Sequence, residues 1–341
     1  MLKTHLALEP EPAPEAVEEE LAAALPETQG SRFFPLIRRW ALHVIPFILL
    51  GAAAYILWRE FHNVDAQDVL ASMRSWGRRA IFTALALSAT SFLLMGVVEW
   101  LGLRWAGARV PLLPTLLGSF MASGIAHTLG ANMLVSGAVR ARYYNRYGVS
   151  LRQVAATTLF DSLAFAAGLS TLAGLGLVFA GGREIQATRY ADAAADGIGV
   201  ALLACVAGYV ALCGFLKRPL RGFGHSITLP SARVALAQLT LGALDNAVAA
   251  GILWTLMPPG PVGYLSFVGA YAPSVVAGLA SHVPGGVGVF EGSLSALLAE
   301  APPAPLAAAF LGYRLAFFIL PLLLACAALV IDTLLQRSRR R

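Results

Sequence analysis

The segment Ser281–Glu291, SHVPGGVGVFE, constrains the fold of this chain more than any other stretch. Apolar runs of membrane-spanning length surround it, yet it contains Pro284, three glycines and the carboxylate of Glu291. In hydrocarbon every backbone N–H and C=O needs a partner, so such a break persists only where protein or a water-filled cavity surrounds it. A charge at bilayer depth costs about 3 kcal/mol or more in addition. The segment therefore predicts a polar pocket inside a membrane domain.

The composition also indicates a membrane protein. Of the 341 residues, 57% are hydrophobic and only 13% are charged, which leaves too little polar surface for a water-soluble domain. The 33 glycines fit this class because small residues let membrane helices approach closely. The three cysteines lie in apolar runs without metal-ligand spacing, so we expect neither a metal site nor a disulfide framework. We predict an all-α polytopic membrane protein that needs no cofactor.

The two ends of the chain differ from its centre. Residues 1–30 hold seven of the 19 acidic residues and are broken by prolines, which predicts a disordered acidic cytoplasmic tail. This tail is either a partner-binding segment or a plain solvated extension. Residues 31–336 are predicted to form a single transmembrane domain, and residues 337–341 a basic cytoplasmic tail.

Apolar stretches of about 20 residues predict six crossing helices. They lie near residues 40–58, 80–101, 151–180, 193–215, 232–257 and 304–335. Two further stretches, 111–137 and 262–300, are interrupted by Pro and Gly, and we predict re-entrant broken-helix hairpins that enter from opposite faces. This topology places the basic loop 138–152 and both termini in the cytoplasm. It also places the loop 59–79 outside, although that loop carries four arginines.

Four ionisable side chains are predicted to lie within the bilayer. Asp161, Asp245 and Arg314 lie about ten residues into their spans, which is about 15 Å deep. Glu291 follows the glycine break, and its expected partner is Arg314 or a backbone nest. Asn246 is the expected hydrogen-bond partner of Asp245. The four charges form either a polar pathway for a substrate or a salt-bridge lattice that only fixes helix packing.

The glycines at the break are candidate anion ligands. The N–H groups of Gly286 and Gly288, with Gly285 beside them, could hold a lipid phosphate at a helix start. The alternative is a tight turn that Glu291 itself caps, in which case a phosphate would compete with the carboxylate. Arg314 is the better phosphate ligand, because its planar guanidinium matches phosphate oxygens.

Two more arginines are candidate lipid ligands. Arg140 and Arg142 follow the first predicted hairpin, in the sequence GAVRARYYNRYG, and we expect them close to the headgroup level. They either recognise lipid headgroups or anchor the loop on the cytoplasmic side as basic residues commonly do.

Four segments resemble one protein family. They are SHVPGGVGVFEGSL at Ser281–Leu294, NMLVSGAVRAR at Asn132–Arg142, LDNAVAAGILWTLMP at Leu244–Pro258 and YRLAFFILP at Tyr313–Pro321. Together they resemble the lysylphosphatidylglycerol synthase transmembrane (flippase) region over roughly residues 35–335. This family includes the membrane half of multiple peptide resistance factor, hopanoid-associated flippase-like proteins and uncharacterised inner-membrane members.

The resemblance implies a bacterial plasma-membrane protein that handles or translocates lipids. In full-length relatives a soluble carboxy-terminal domain transfers lysine to phosphatidylglycerol. The present sequence reaches Arg341 directly after its last predicted helix, so we expect no synthase activity and no enzyme.

The leading hypothesis is a lipid flippase-like transporter for a modified phospholipid, a hopanoid or a polyprenyl-linked lipid. Its expected ligands are membrane lipids with charged headgroups, and nucleic acid is not an expected partner. A second copy of the chain and a separate lipid synthase are the candidate protein partners. The alternatives are a non-transporting subunit that recruits a synthase and an intramembrane lipid-modifying enzyme, although no His, Asp or Glu grouping has metal-ligand spacing.

Overall fold

A computed structural model describes most of the predicted membrane domain. The described residues are 65–129, 132–180, 189–216, 220–222, 225–227, 229–258, 263–281, 283–298 and 301–339. The predicted first span near 40–58, the acidic tail 1–30 and the start of the loop 59–79 lie outside these ranges.

The described chain is almost entirely helical. In chain order the helices are α1 (Ala66–Ser75), α2 (Arg78–Trp105), α3 (Leu112–Leu129), α4 (Asn132–Tyr144), α5 (Leu151–Ala180), α6 (Arg189–Phe215), α7 (Ala232–Leu256), α8 (Tyr264–Ala280), α9 (Val289–Leu297), α10 (Pro303–Arg314) and α11 (Leu320–Arg339). Two strands of three residues, β1 (Leu220–Gly222) and β2 (His225–Ile227), pair antiparallel between α6 and α7. The predicted all-α polytopic class is confirmed.

Five helical segments of the described chain are long and apolar enough to cross a membrane. They are Arg78–Trp105, Leu151–Phe179, Ala194–Phe215, Ala232–Leu256 and Pro303–Gln336. These segments coincide with five of the six predicted spans. The last one combines α10 and α11, which are joined without a break in helicity.

The junction of α10 and α11 is a π-helical turn at Leu315–Ile319. Pro321 follows two residues later, and a proline inside a helix cannot donate a hydrogen bond and clashes with the carbonyl four residues before it. A wider turn just before the proline relieves that clash, and such π turns commonly occur at functional sites. The turn begins immediately after Arg314.

Each of the two interrupted stretches contains a pair of helices, and residues 130–131 between the first two lie outside the described ranges. α3 and α4 pack against each other, and so do α8 and α9. The second arm of each pair is short, because α4 has 13 residues and α9 has nine. At 1.5 Å per residue they measure about 20 Å and 14 Å, less than the hydrocarbon thickness of about 30 Å.

The long helices α2, α5 and α7 pack around the centre of the described domain. α5 and α7 approach through facing glycines: a Cβ added to Gly168 would lie 2.2 Å from the backbone carbon of Gly242. A Cβ on Gly242 would lie 2.1 Å from the carbonyl oxygen of Ala164. Membrane helices associate through such small-residue contacts.

Candidate functional site

The break between α8 and α9 is built by three glycines in left-handed backbone conformations. Gly285, Gly286 and Gly288 have φ values of 61°, 64° and 84°. A side chain at such angles is disfavoured, so glycine is what permits the chain to reverse here. Pro284 opens a short 3₁₀ turn, Pro284–Gly286, before α9 begins. The predicted kinked segment is therefore present.

Glu291 lies in the first turn of α9 with only 2% of its surface exposed. One carboxylate oxygen accepts a hydrogen bond from the backbone N–H of Gly288 at 2.8 Å. The other accepts from Nε of Arg314 at 2.7 Å. The two partners that the sequence offers as alternatives, Arg314 and the backbone, thus bind Glu291 simultaneously.

Arg314 joins three elements at the end of α10. Besides Glu291, its Nη1 donates to the carbonyl oxygen of Gly285, and its guanidinium carbon lies 4.6 Å from the ring centre of Phe318. Its Nη2 lies 2.6 Å from the Glu291 carboxylate, but it makes no hydrogen bond of suitable geometry in the described structure. Arg314 is therefore a partly buried cation whose charge Glu291 compensates.

A second charged cluster surrounds Arg140, on α4. Its Nη2 lies 2.8 Å from the carboxylates of both Glu99 and Asp161. Glu99 also accepts a hydrogen bond from the hydroxyl of Tyr144 at 2.6 Å. Arg140 is only 5% exposed, so it is buried among the helices, and its expected position close to the headgroup level stays a prediction. The short α4 turns this side chain inward, where two carboxylates compensate its charge.

Asp245 is the fourth acidic residue in the interior, after Glu291, Glu99 and Asp161. It is buried on α7 and accepts a hydrogen bond from the hydroxyl of Ser91 on α2. The expected partner Asn246 instead donates to the carbonyl oxygens of Gly242 at 2.8 Å and Phe165 at 3.3 Å. Neighbouring positions on a helix point about 100° apart, which explains why that expectation is wrong.

A cavity of about 460 Å³ connects these charged positions. The predicted site residues on its wall are Arg140, Asp161, Asp245, Gly285, Gly286 and Arg314. Glu291 and Gly288 lie behind the wall, where they hold Arg314 and the turn in place. The hydroxyls of Tyr271 and Tyr313, 2.9 Å apart, also face this region.

Arg142 lies outside the cavity. It is exposed and donates a hydrogen bond to the hydroxyl of Thr333 on α11 at 2.6 Å. The nearby Arg146 forms two hydrogen bonds to Asp332 at 2.8 and 2.6 Å. These hydrogen bonds raise the pKa of Arg146, which therefore stays charged. Of the two arginines grouped together from the sequence, the structure brings only Arg140 to the site.

The sequence interpretation did not single out Glu99, which is fully buried. In the predicted span 80–101 this residue falls near the end, where a carboxylate is unremarkable. α2 in fact continues to Trp105, which moves Glu99 away from the terminus. Arg140 was the signal available in the sequence, because a basic residue beside an apolar stretch needs an acidic partner if it is buried.

Several polar atoms on the wall have no hydrogen-bond partner in the described structure. They are Nε of Arg140, both carboxylate oxygens of Asp161, Nη2 of Arg314 and Nδ1 of His127. Nη2 of Arg314 and one oxygen of Asp161 are nevertheless ion-paired, at 2.6 and 2.8 Å. Buried polar groups are nearly always satisfied, so the remaining three atoms indicate positions where water or a ligand group binds. The described residues contain no group of three His, Cys, Asp or Glu side chains suited to a metal ion.

Sequence comparison assigns the family. The profile of the lysylphosphatidylglycerol synthase TM region matches residues 44–325. The chain belongs to this family. Its relatives include the uncharacterized protein slr0712 of Synechocystis sp., 30% identical over 300 residues, which cover 86% of this chain and 93% of the relative. The inner membrane protein YbhN of Escherichia coli is 30% identical over 295 residues, which cover 84% of this chain and 91% of the relative.

The family match and the cavity concern the same part of the molecule. The lysylphosphatidylglycerol synthase TM region extends from before α2 into α11, so it includes both charged clusters and both broken helix pairs. The chain is thus a multi-pass membrane protein of this family.

Proposed function

We propose that the protein is a lipid flippase-like transporter of the bacterial inner membrane, without enzymatic activity of its own. The observation that carries this proposal is the cavity of about 460 Å³, which has the ion-paired side chains of Arg140, Asp161 and Arg314 on its wall inside an apolar helical domain. Ionisable groups at this depth are costly, and they commonly mark substrate pathways. The inner-membrane location is supported by the relative YbhN and by the apolar helices.

The lipid headgroup is proposed to bind between the two charged clusters. The guanidinium of Arg314, which lies on the cavity wall with Gly285 and Gly286, is the proposed ligand of a headgroup phosphate, and the phosphate competes there with Glu291. At the other cluster, the carboxylate of Asp161, one oxygen of which pairs with Arg140 at 2.8 Å, is the proposed ligand of a cationic part of the headgroup. Asp245 adds a further carboxylate on the wall. A modified phospholipid, a hopanoid with a polar group or a polyprenyl-linked lipid can present such groups.

The proposed topology has both termini in the cytoplasm and both broken helix pairs as re-entrant hairpins. The short second arms support it, since neither α4 nor α9 can cross the bilayer alone. In this topology residues 31–336 form a single domain, with the acidic and basic tails on the same side. Irregular backbone at membrane depth is tolerated where it lines a cavity, which is the position of Gly285 and Gly286.

A reconstituted-liposome assay tests the proposal. Phospholipids with an acyl-linked fluorophore are placed in both leaflets, and an impermeant quencher reports how fast the inner population becomes accessible. Anionic, zwitterionic and cationic headgroups are compared. We expect the protein to accelerate the movement of at least one headgroup class. Arg314→Ala should lose this acceleration while inserting normally.

The matched control is Arg146→Gln. Arg146 also forms an ion pair, with Asp332, but it lies off the cavity. Its removal should leave the rate unchanged. If no headgroup class moves faster with the wild-type protein, transport is wrong and the non-transporting subunit is favoured. An equal loss in both variants would also contradict the proposed site.

A further inference from the structure

The same order of elements occurs twice in the described chain. A long helix, a broken helix pair and another long helix appear first as α2, α3–α4 and α5. They appear again as α7, α8–α9 and α10, which continues into α11. α6 lies between the two sets. The repetition concerns structure, since the two halves share no evident sequence identity.

Charged residues occupy matching positions in the two sets. Arg140 lies eleven residues after the end of α3 at Leu129, and Glu291 lies eleven residues after the end of α8 at Ala280. Their partners also correspond: Asp161 is the eleventh residue of α5, and Arg314 is the twelfth and last of α10.

Each half thus contains one ion pair between the second arm of its hairpin and the long helix that follows. Arg140 and Asp161 approach to 2.8 Å, and Glu291 and Arg314 to 2.6 Å. The polarity is reversed, since the arm carries the base in the first half and the acid in the second. Both pairs bring a side chain to the wall of the same cavity.

The packing between the halves is reciprocal. The first arm of each hairpin packs on the closing long helix of the other half. α3 meets α11, where a Cβ on Gly124 would lie 2.9 Å from the Cβ of Ala325. α8 meets α5, where a Cβ on Gly176 would lie 2.6 Å from the Cα of Gly269. The opening helices α2 and α7 pack on each other at the centre.

We propose that the two halves are structurally equivalent, with inverted orientation, and that the two ion pairs are alternate gates of the cavity. From α2 to α7 the chain makes three crossings, through α2, α5 and α6, so the second half runs opposite to the first. Inverted repeats of this kind underlie alternating access in transporters. The inference rests on the proposed transport function and adds to it the device that exposes the site to each face.

Ligand competition supplies a physical reason for opening. A headgroup phosphate competes with Asp161 for Arg140 and with Glu291 for Arg314, so the same ligand chemistry can loosen either pair. Opening one pair removes the ion pair between the second arm of that hairpin and the next long helix. In the first half the arm then keeps its contacts with Glu99 on α2. A ligand changes the population of two states only by binding them with different affinity, which this competition provides.

Cysteine accessibility tests the gates without lipid transport. Cys205, Cys213 and Cys326 are first replaced by alanine, and a reporter cysteine is placed on the cavity wall as Ser162→Cys or Val275→Cys. A membrane-impermeant maleimide is then applied to spheroplasts and to inside-out vesicles. These preparations expose opposite faces of the membrane.

Each gate variant should open the cavity to one face only. We expect Arg140→Gln to raise the labelling rate about tenfold from one face, which corresponds to about 1.4 kcal/mol between two states. Arg314→Gln should raise it from the opposite face. Asp161→Asn should increase labelling from the same face as Arg140→Gln, and Glu291→Gln from the same face as Arg314→Gln. These two variants keep the test valid if an arginine variant folds poorly.

Arg146→Gln is the matched control and should leave labelling unchanged from both faces. Three results overturn the gate assignment: both gate variants increase labelling from the same face, one variant increases it from both faces, or the variants of either pair leave labelling unchanged. If the protein still moves lipids in the liposome assay, such a result contradicts only the gate proposal and leaves the proposed transport function intact. If the two gate variants increase labelling from opposite faces but the protein moves no lipid, the proposed transport function is contradicted and the gate assignment is supported.

Discussion

Arg140 faces two buried carboxylates with a single guanidinium, so its removal should be the most damaging change in its cluster. Arg140→Gln leaves Glu99 and Asp161 without a counter-charge, and removal of one partner from a buried pair costs about 3–5 kcal/mol. We expect a lower melting temperature in detergent for Arg140→Gln than for Glu99→Gln, as measured by fluorescence-detected size exclusion.

The double variant Arg140→Gln/Glu99→Gln provides the control for this prediction. It removes one of the two stranded carboxylates, so its stability should lie above that of Arg140→Gln alone. Non-additivity of this sign is the signature of groups in direct contact. A double variant less stable than Arg140→Gln would show that the cluster is not held by charge compensation.

Gly285 makes a separate prediction about the transport site. Gly285→Ala places a side chain at a φ of 61° and a Cβ 3.2 Å from Nη1 of Arg314. The left-handed conformation costs roughly 1–2 kcal/mol, and the new methyl group displaces the guanidinium. We expect a modest loss of stability together with a large loss of the lipid-movement rate in liposomes.

Gly148→Ala separates backbone strain from the effect on Arg314. Gly148 has a similar φ of 69°, but nothing lies within 4 Å of its Cβ position. It should lose a similar amount of stability and retain the transport rate. Equal rates in the two variants would mean that the position of Arg314 beside Gly285 does not matter for transport.

At the residue scale the sequence predicted the Glu291–Arg314 pair better than the cluster around Arg140. Glu291 and Arg314 were predictable as partners because a backbone break and two charges in apolar sequence are each costly, and their pairing reduces both costs. The burial of Arg140 was not predictable in the same way, because a basic residue near a predicted span end is usually interfacial. Its buried partner Glu99 lies 41 positions away in the chain.

At the scale of the helices, the crossing of α5 and α7 makes a testable prediction, because the two backbones approach closely there. Gly242→Ala would bring a Cβ to 2.1 Å from the carbonyl oxygen of Ala164, which forces the helix backbones apart. Overpacking of this kind costs about 1–3 kcal/mol. We expect a lower melting temperature in detergent and a reduced lipid-movement rate, because Asp245 lies on the shifted helix.

Gly197→Ala on α6 is the control for that substitution. It also replaces a helical glycine by alanine, but nothing lies within 4 Å of the new Cβ. Its stability should equal or exceed that of the wild type, since alanine favours helix by about 1 kcal/mol over glycine. The glycine contact is unimportant if both variants melt at the same temperature.

The crossing helices were predictable because each is a local property of about 20 consecutive residues. The breaks were also local, since Pro and Gly mark them in the sequence. The π turn at Leu315–Ile319 was not predicted, although Pro321 is visible in the sequence. A proline in a membrane helix has several structural solutions, and the neighbouring helices decide between them. Here Pro321 packs close to Gly124 of α3.

For the whole molecule, the cavity could not be derived in detail from the sequence. Its wall draws on helices from both halves of the chain, and hydrophobic periodicity does not say which helices become neighbours. The presence of a polar interior was predictable from the cost of unpaired charges. Its shape and the identity of its wall residues required the packing of α2, α5 and α7.

The size of the cavity leads to a prediction about which part of a lipid the protein handles. A volume of about 460 Å³ suits a small polar ligand, since typical small-molecule pockets measure about 300–1,000 Å³. Long acyl chains therefore stay in the surrounding bilayer while the headgroup passes through. In the liposome assay, phospholipids with one headgroup and two different acyl lengths should move at equal protein-dependent rates. A polyethylene glycol chain on the headgroup should abolish that movement, because the conjugate exceeds the cavity. Rates that follow acyl length and ignore the conjugate would place the transport path at the lipid-facing surface instead.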